Sequence, residues 1–269
     1  MCNGGAVPGA TTSESLTLGI DLSSDPARTA ACAIDWRDGE ATVRSLEAGL
    51  ADAALHERIA RVDADGGVTG IDAPFAWPVP FREALDAHAR DGSFPAAYRD
   101  PRLQFRATDL FVAGVARRPL SVSTNLIGVT AMRCARLLHE VGLRRGAPVD
   151  PGGADGVAEV YPAAALVAWG GRAAGLAPQG YKAGPAAGAE RGRIVAALAE
   201  RRWLELPAAA RDACARSDHA LDAVLAALAA RAAQRALTHP PQTGEQRALC
   251  AVEGWIHVPL PGSLDRLVA

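Results

Sequence analysis

The sequence predicts a mixed α/β fold in which a five-stranded sheet is flanked by helices, with a long insertion after the fourth strand. Three observations lead to this prediction: a meander of three strand-like segments, a helical segment followed by a fourth strand, and a proline-rich stretch before the fifth. Antiparallel strands need only tight turns, whereas a helix between two strands predicts a crossover. The fourth strand can therefore lie parallel to the first.

The meander begins with the apolar segment LTLGIDLSS at Leu16 and continues through residues 29–36 and 41–49. Asp38 and Gly39 separate the last two segments, and an Asp-Gly pair between strand-like segments is a strong hairpin signal. We therefore expect three successive antiparallel strands.

A helix is predicted after the meander. Leu55, Ile59 and Val62 follow Asp52 with the i, i+4, i+7 spacing of one buried helix face, and two glycines end the pattern. The segment GVTGIDAP then predicts a fourth strand that ends at Asp72.

The rest of the chain is less regular. Prolines interrupt residues 75–153, which we interpret as an insertion with one clear helix over residues 126–143. The further expected elements are a fifth strand at 156–161, helices near 190–203 and 217–237, and a final short strand or extended edge at 252–259.

This order of elements is that of the ribonuclease-H-like fold. We expect one such domain over residues 16–269 and a flexible tail over residues 1–15. No apolar run approaches the roughly 20 residues that span a bilayer, and the first residues lack a secretory pattern. The five cysteines have no CxxC or metal-ligand spacing, which suits a reducing compartment. A cytoplasmic protein without membrane contact or an obligate protein partner is therefore expected.

Charge limits the expected partners. The formal net charge is −2, and nonspecific nucleic-acid affinity comes mainly from cationic contacts to phosphate. The composition thus argues against a broad, tight binder of nucleic acid, although nucleic acid stays a candidate substrate.

Acidic residues occupy matching places in the predicted fold. Asp21 and Asp72 end two strands that we expect to be parallel neighbours, and Glu159 lies in the fifth strand. Asp218 and Asp222 are four residues apart on the last long helix and share one face. Like charges this close cost free energy unless they are neutralised, and hard divalent cations do that with oxygen ligands.

The sequence therefore predicts a Mg²⁺ or Mn²⁺ centre that hydrolyses phosphodiester bonds with two metal ions. Asp21 is expected to bridge the ions, and Asp72, Glu159 and Asp218 or Asp222 are expected to complete the ligand shells. All five acids are candidates for the catalytic set. Each acid also has an ordinary alternative: an aspartate after a strand can cap a turn, Asp218 can cap its helix, Asp222 can face solvent, and Glu159 can pair with an arginine.

Seven short motifs in order resemble a known family: GIDLS at 19–23, GIDAP at 70–74, RATD at 106–109, EVYPAA at 159–164, YK at 181–182, DHALDAVLAALAAR at 218–231 and EGWIHVP at 253–259. The family is the predicted nucleases catalogued as domain of unknown function 429. The resemblance implies a ribonuclease-H-like fold and a metal-dependent nuclease site at the acidic residues named above.

The resemblance also points to substrate-binding residues. Arg106 and Asp109 lie in the insertion, and Arg106 has the shape for a bidentate phosphate contact. The alternative for Arg106 is an ion pair with Asp109 or Glu159. Lys182 is likewise a candidate for phosphate binding, and its alternative is a solvated side chain. His219 between the two helix acids is a candidate for proton transfer or a plain surface histidine. A nucleic-acid surface would use the interleaved arginines and aromatics of the insertion: Phe94, Tyr98, Arg99, Arg102, Phe105, Arg106, Phe111, Arg117 and Arg118.

Two other functions fit the same scaffold. Phosphotransferases of the sugar-kinase or actin-like type also begin with an Asp-bearing strand, but they carry two lobes and glycine-rich phosphate loops. Gly152-Gly153 and Gly170-Gly171 do not form such a loop. A non-catalytic module that binds a ligand or a protein is favoured by the near-neutral charge and opposed by the full set of acids.

Overall fold

A computed structural model describes residues 15–97, 99–123 and 125–268. In these residues, a six-stranded mixed sheet is flanked by helices. The predicted tail lies outside the described residues except for Ser15. The strands are β1 Ser15–Asp21, β2 Ala30–Arg37, β3 Glu40–Ala48, β4 Val68–Asp72, β5 Val157–Glu159 and β6 Leu204–Glu205.

Ten α-helices surround the sheet in the described residues. They are α1 Asp52–Ala64, α2 Val79–Asp91, α3 Pro101–Gln104, α4 Ala107–Val115, α5 Asn125–Arg145, α6 Pro162–Ala168, α7 Ala187–Ala199, α8 Ala208–Arg216, α9 Asp218–Gln234 and α10 Gly244–Glu253. The predicted helices over 52–62 and 126–143 are confirmed as α1 and α5, and the insertion contains three further helices, α2 to α4.

The strand order is β5-β4-β1-β2-β3-β6. β1, β2 and β3 form the predicted antiparallel meander, and β4 is parallel to β1 as the crossover requires. Asp38 and Gly39, both with positive φ, form the two-residue turn between β2 and β3.

The expected count of five strands is wrong by one. β6 is parallel to β3, where Leu204 and Glu205 lie beside Ala41 and Thr42. Two residues are too few for an alternating pattern to be visible in a sequence, so nothing local distinguishes β6 from the end of a helix.

The final strand expected at 252–259 is also wrong over its first residues. α10 extends to Glu253, because Thr243 and Gln246 form a reciprocal capping box that starts a helix at Gly244. Beyond it, the segment has the extended-edge character that was the alternative to a strand: Ile256 makes an isolated parallel bridge with Glu159, and Pro259 makes an antiparallel one with Thr238.

Two apolar layers cover the faces of the sheet. Leu16, Leu18 and Ile20 of β1 pack with α1 and α5, and the opposite face packs against α9. Side chains alternate along a strand, so Gly19 and Asp21 point to the α9 face.

Glycines let α9 lie directly against the sheet. A Cβ atom at Gly19 would overlap the carbonyl oxygen of Ala223, and one at Gly70 would lie 2.8 Å from the carbonyl oxygen of Ala226. The aspartates of the two GID motifs therefore lie close beneath this helix.

No helix in the described part of the chain combines the length and apolar character needed to cross a membrane.

Candidate metal centre and active site

The carboxyl ends of β1 and β4 bring two aspartates side by side. The strands are parallel and in register, and Asp21 is the direct partner of Asp72. Both strands end at these residues, so their side chains meet at one edge of the sheet.

Helix α9 supplies the third carboxylate. Ser217 caps the helix by accepting a hydrogen bond from the backbone N–H of Ala220 at 3.3 Å. Asp222 follows in the second turn, is 1 % exposed and lies over the strands because small residues allow a close approach. Carboxylate oxygens of Asp21, Asp72 and Asp222 all lie within 4.8 Å of one another.

Burial and mutual repulsion make these carboxylates hard to ionise. Burial raises the pKa of Asp222 to about 6, with Lys182 opposing the shift and Asp21 adding to it. Burial also raises the pKa of Asp72 well above its ordinary value; Lys182 lowers it, and Asp21 and Asp222 raise it further. Full ionisation of the three-carboxylate cluster therefore needs a compensating positive charge.

Both oxygens of Asp222 have partners. Lys182 Nζ lies 2.6 Å from Oδ2, and the buried Tyr181 hydroxyl donates to Oδ1 at 2.7 Å. Both residues of the YK motif, Tyr181 and Lys182, therefore contact the cluster through the carboxylate of Asp222. Tyr181 was not among the predicted site residues, and only its place beside Lys182 in the motif points to it.

His219 holds Asp21 from the other side. Its Nδ1 is 2.6 Å from Asp21 Oδ2, and its Nε2 accepts a hydrogen bond from Arg28 Nε at 3.2 Å. Because arginine only donates, Nδ1 carries the hydrogen that points to the carboxylate. This contact fixes one oxygen of Asp21 and thereby orients its carboxylate.

Glu159 lies in a different arrangement from the predicted ligand shell. Its two oxygens accept hydrogen bonds from Arg106 Nη1 and Nη2, both at 2.7 Å, and the backbone N–H of Phe75 donates to it at 3.1 Å. The structure therefore places Glu159 in a buried ion pair and not in the three-carboxylate cluster.

Arg106 uses all five of its N–H donors inside the protein and is 1 % exposed. Besides Glu159, it binds Asp109 through Nη2 at 2.9 Å and Nε at 3.1 Å, and it donates from Nη1 to the carbonyl oxygen of Glu253 at 3.1 Å. Arg106 and Asp109 thus make the contacts of the ion-pair alternative, and their phosphate-binding roles stay a prediction.

The same network fastens the insertion to the sheet. The carboxylate of Glu253 accepts from the backbone N–H groups of Val79 and Ala107, each at 2.7 Å, at the starts of α2 and α4.

The helix acid Asp218 lies outside the three-carboxylate cluster. It is the first residue of α9, where a negatively charged side chain interacts favourably with the positive end of the helix dipole.

A cavity of about 340 Å³ opens beside the cluster. Asp21, Asp72 and Lys182 line it together with Arg117 and Tyr161. Burial raises the pKa of Tyr161, and the nearby charge of Arg117 opposes that shift. Arg106 and Arg118 line the same cavity, and Arg106 is held there in its ion pair with Glu159.

Two other arginines of the predicted nucleic-acid surface have partners within the insertion. Arg102 pairs with Asp100 at 2.7 Å, and Arg118 lies over the ring of Phe105. Tyr98 lies outside the described residues. A larger groove of about 1050 Å³ is at the opposite end of the sheet, near Gly67 and Gly156, away from the carboxylates.

Replacing Asp72 with asparagine is expected to stabilise the metal-free protein at pH 7.5. The pKa of Asp72 is raised in the folded state, so its ionisation above the unfolded value, about 3.9, destabilises the fold. Asparagine removes this cost, and the melting temperature should rise by about 2–4 °C for each kcal/mol removed.

The gain should shrink as the pH falls towards 4, because the wild-type carboxyl is then protonated. Melting curves in a chelator at pH 7.5 and 5 measure this, with the exposed Asp86→Asn as the matched control. A lower melting temperature for Asp72→Asn at pH 7.5, or a gain that is the same at both pH values, would contradict the prediction.

The fold and site together define an α/β protein with a three-carboxylate cluster at the carboxyl ends of two parallel strands. The chain belongs to the family described as "Protein of unknown function (DUF429)", which matches residues 19–245. The match includes the whole cluster and Lys182, and the EGWIHVP segment lies beyond it. No curated protein and no solved structure matches the chain.

Proposed function

We propose that the protein is a divalent-cation-dependent phosphodiesterase, with nucleic acid as its substrate, on a ribonuclease-H-like fold. The observation that carries the proposal is the convergence of Asp21, Asp72 and Asp222 from β1, β4 and α9. The strand order β5-β4-β1-β2-β3, with β2 antiparallel to its neighbours, supports the fold assignment.

The donor set fits Mg²⁺ or Mn²⁺. Three carboxylates supply hard oxygen ligands, and the raised pKa values of Asp72 and Asp222 reflect a burial that disfavours their ionised forms, which a bound cation would stabilise. Among the described residues, the Asp72 carboxylate has no hydrogen-bond or ion-pair partner, so it is free to bind a cation. When bound, the cation would act as a Lewis acid on a phosphoryl oxygen.

The protein's own groups have distinct tasks in this proposal. His219 orients Asp21, and Tyr181 orients Asp222, so two of the ligands are held before a cation arrives. Arg117 at the cavity can pair with a phosphate, because a guanidinium matches phosphate geometry.

The size and charge of the site favour a single phosphodiester unit over a long nucleic-acid surface. The cavity holds about 340 Å³, near the lower end of small-molecule sites. With a net charge of −2, binding must come from the site itself. A strand end, an unpaired nucleotide or a small phosphodiester suits this arrangement.

The test is cleavage by the full-length protein after its metals are stripped with a chelator. We expect no cleavage without metal and cleavage after addition of Mn²⁺ or Mg²⁺. The panel contains single-stranded, duplex and branched nucleic acids and bis(p-nitrophenyl) phosphate. Metal binding without cleavage across the panel would support a non-catalytic module, and ATP-dependent phosphorylation of a small molecule would support a phosphotransferase.

A further inference from the structure

Lys182 is the only lysine in the chain, and the other 27 basic residues are arginines. Its ammonium lies 2.6 Å from Oδ2 of Asp222, whose side chain is 1 % exposed, while the lysine side chain itself is 46 % exposed. The ammonium thus contacts the carboxylate cluster, and the lysine lines the cavity, where it acts as a compact point charge.

The charges at this place balance with one divalent ion. Three ionised carboxylates and one ammonium leave a net charge of −2, which a single divalent cation neutralises. Two divalent ions beside Lys182 would leave an excess of two positive charges in a site where desolvation makes uncompensated charge costly.

The fourth acid that a second ion would need is not available. Glu159 gives both of its oxygens to Arg106 at 2.7 Å, and Asp218 lies outside the cluster. Three carboxylates therefore remain as ligands, and this smaller set suits one ion better than the two ions expected from five acids.

We propose that the centre holds one divalent cation and that Lys182 supplies the second positive charge, in contact with Asp222 and facing the substrate phosphate. This inference rests on the proposed function and replaces the two-metal arrangement expected from the sequence.

The first experiment counts ions by calorimetry with MnCl₂ on the full-length, metal-stripped protein at pH 8. We expect one Mn²⁺ per chain. Lys182→Met should bind Mn²⁺ at least about tenfold more tightly, because a positive charge beside the ion is removed. Lys182→Arg keeps the charge and should bind like the wild type.

The cleavage rate should change in the opposite direction. At saturating Mn²⁺, Lys182→Met should cleave bis(p-nitrophenyl) phosphate about 10²-fold more slowly, because the charge facing the phosphate is lost. Tighter metal binding together with slower cleavage separates this role from that of a lysine that only positions Asp222.

The single lysine allows a direct spectroscopic check. Reductive ¹³C-methylation keeps the positive charge and labels only Lys182 and the amino terminus. One equivalent of paramagnetic Mn²⁺ should broaden the Lys182 signal beyond detection and spare the terminal signal at that stoichiometry.

Two bound ions in the wild type, weaker Mn²⁺ binding by Lys182→Met, or an unaffected Lys182 signal would each overturn the inference. Two bound ions with metal-dependent cleavage would leave the proposed function intact. No Mn²⁺ binding by the wild type would instead remove the metal centre, and with it both proposals.

Discussion

Asp21→Asn is expected to reduce metal-dependent phosphodiester cleavage by at least about 10³-fold. The variant loses a cation ligand and with it several kcal/mol of transition-state stabilisation, which corresponds to that factor. Asp21 contributes to the cluster from the end of β1, and asparagine removes its negative charge while keeping its shape. The amide oxygen still accepts a hydrogen bond from His219 Nδ1, so the fold should be retained. Steady-state rates with Mn²⁺ and melting curves measure the two effects.

Asp218→Asn is the matched control, since it changes an acid close to the site that lies outside the three-carboxylate cluster. Its rate should stay within about threefold of the wild type, as substitutions away from special features usually change free energies by about 0.5 kcal/mol. Equal losses in the two variants, or full activity in Asp21→Asn, would contradict the assignment of the cluster as the active site.

Arg106→Met is expected to lower the free energy of unfolding by about 3–5 kcal/mol, the usual cost of removing one partner from a buried ion pair. Arg106 is the shared partner of Glu159 and Asp109, and all three side chains are almost completely buried. Methionine fills part of the volume but leaves two buried carboxylates without a countercharge. Urea unfolding followed by circular dichroism measures the loss.

Arg102→Ala provides the comparison on the same insertion. The Arg102 side chain is 66 % exposed, and exposed ion pairs contribute about 0–1 kcal/mol, so the expected change is small. If Arg106→Met instead kept its stability and lost only activity, the phosphate-binding role predicted from the sequence would be correct.

The GID motifs show what a local pattern can determine. Gly19 and Gly70 lie where α9 touches the sheet, and Asp21 and Asp72 follow two residues later on the same face. Strand alternation and the crossover rule are local or topological, so these two carboxylates could be predicted as neighbours. The meander, α1 and α5 follow from periodicity in the same way.

The choice between Asp218 and Asp222 could not be made from spacing. Both lie on one face of α9, but they are about 6 Å apart along its axis, since each residue advances the helix by about 1.5 Å. Only the position of α9 on Gly19 and Gly70 decides which of them meets the strands. The structure selects Asp222 for the cluster and leaves Asp218 at the helix start.

The sequence by itself determined the meander, the crossover, and the two aspartates at the ends of β1 and β4, because short-range periodicity encodes them. Only the tertiary structure decided that Glu159 pairs with Arg106, that Lys182 binds Asp222, and that His219 holds Asp21. These contacts join residues 40 to 198 positions apart. The pairing of charged side chains depends on their burial and separation in the folded protein, and no local sequence pattern encodes these.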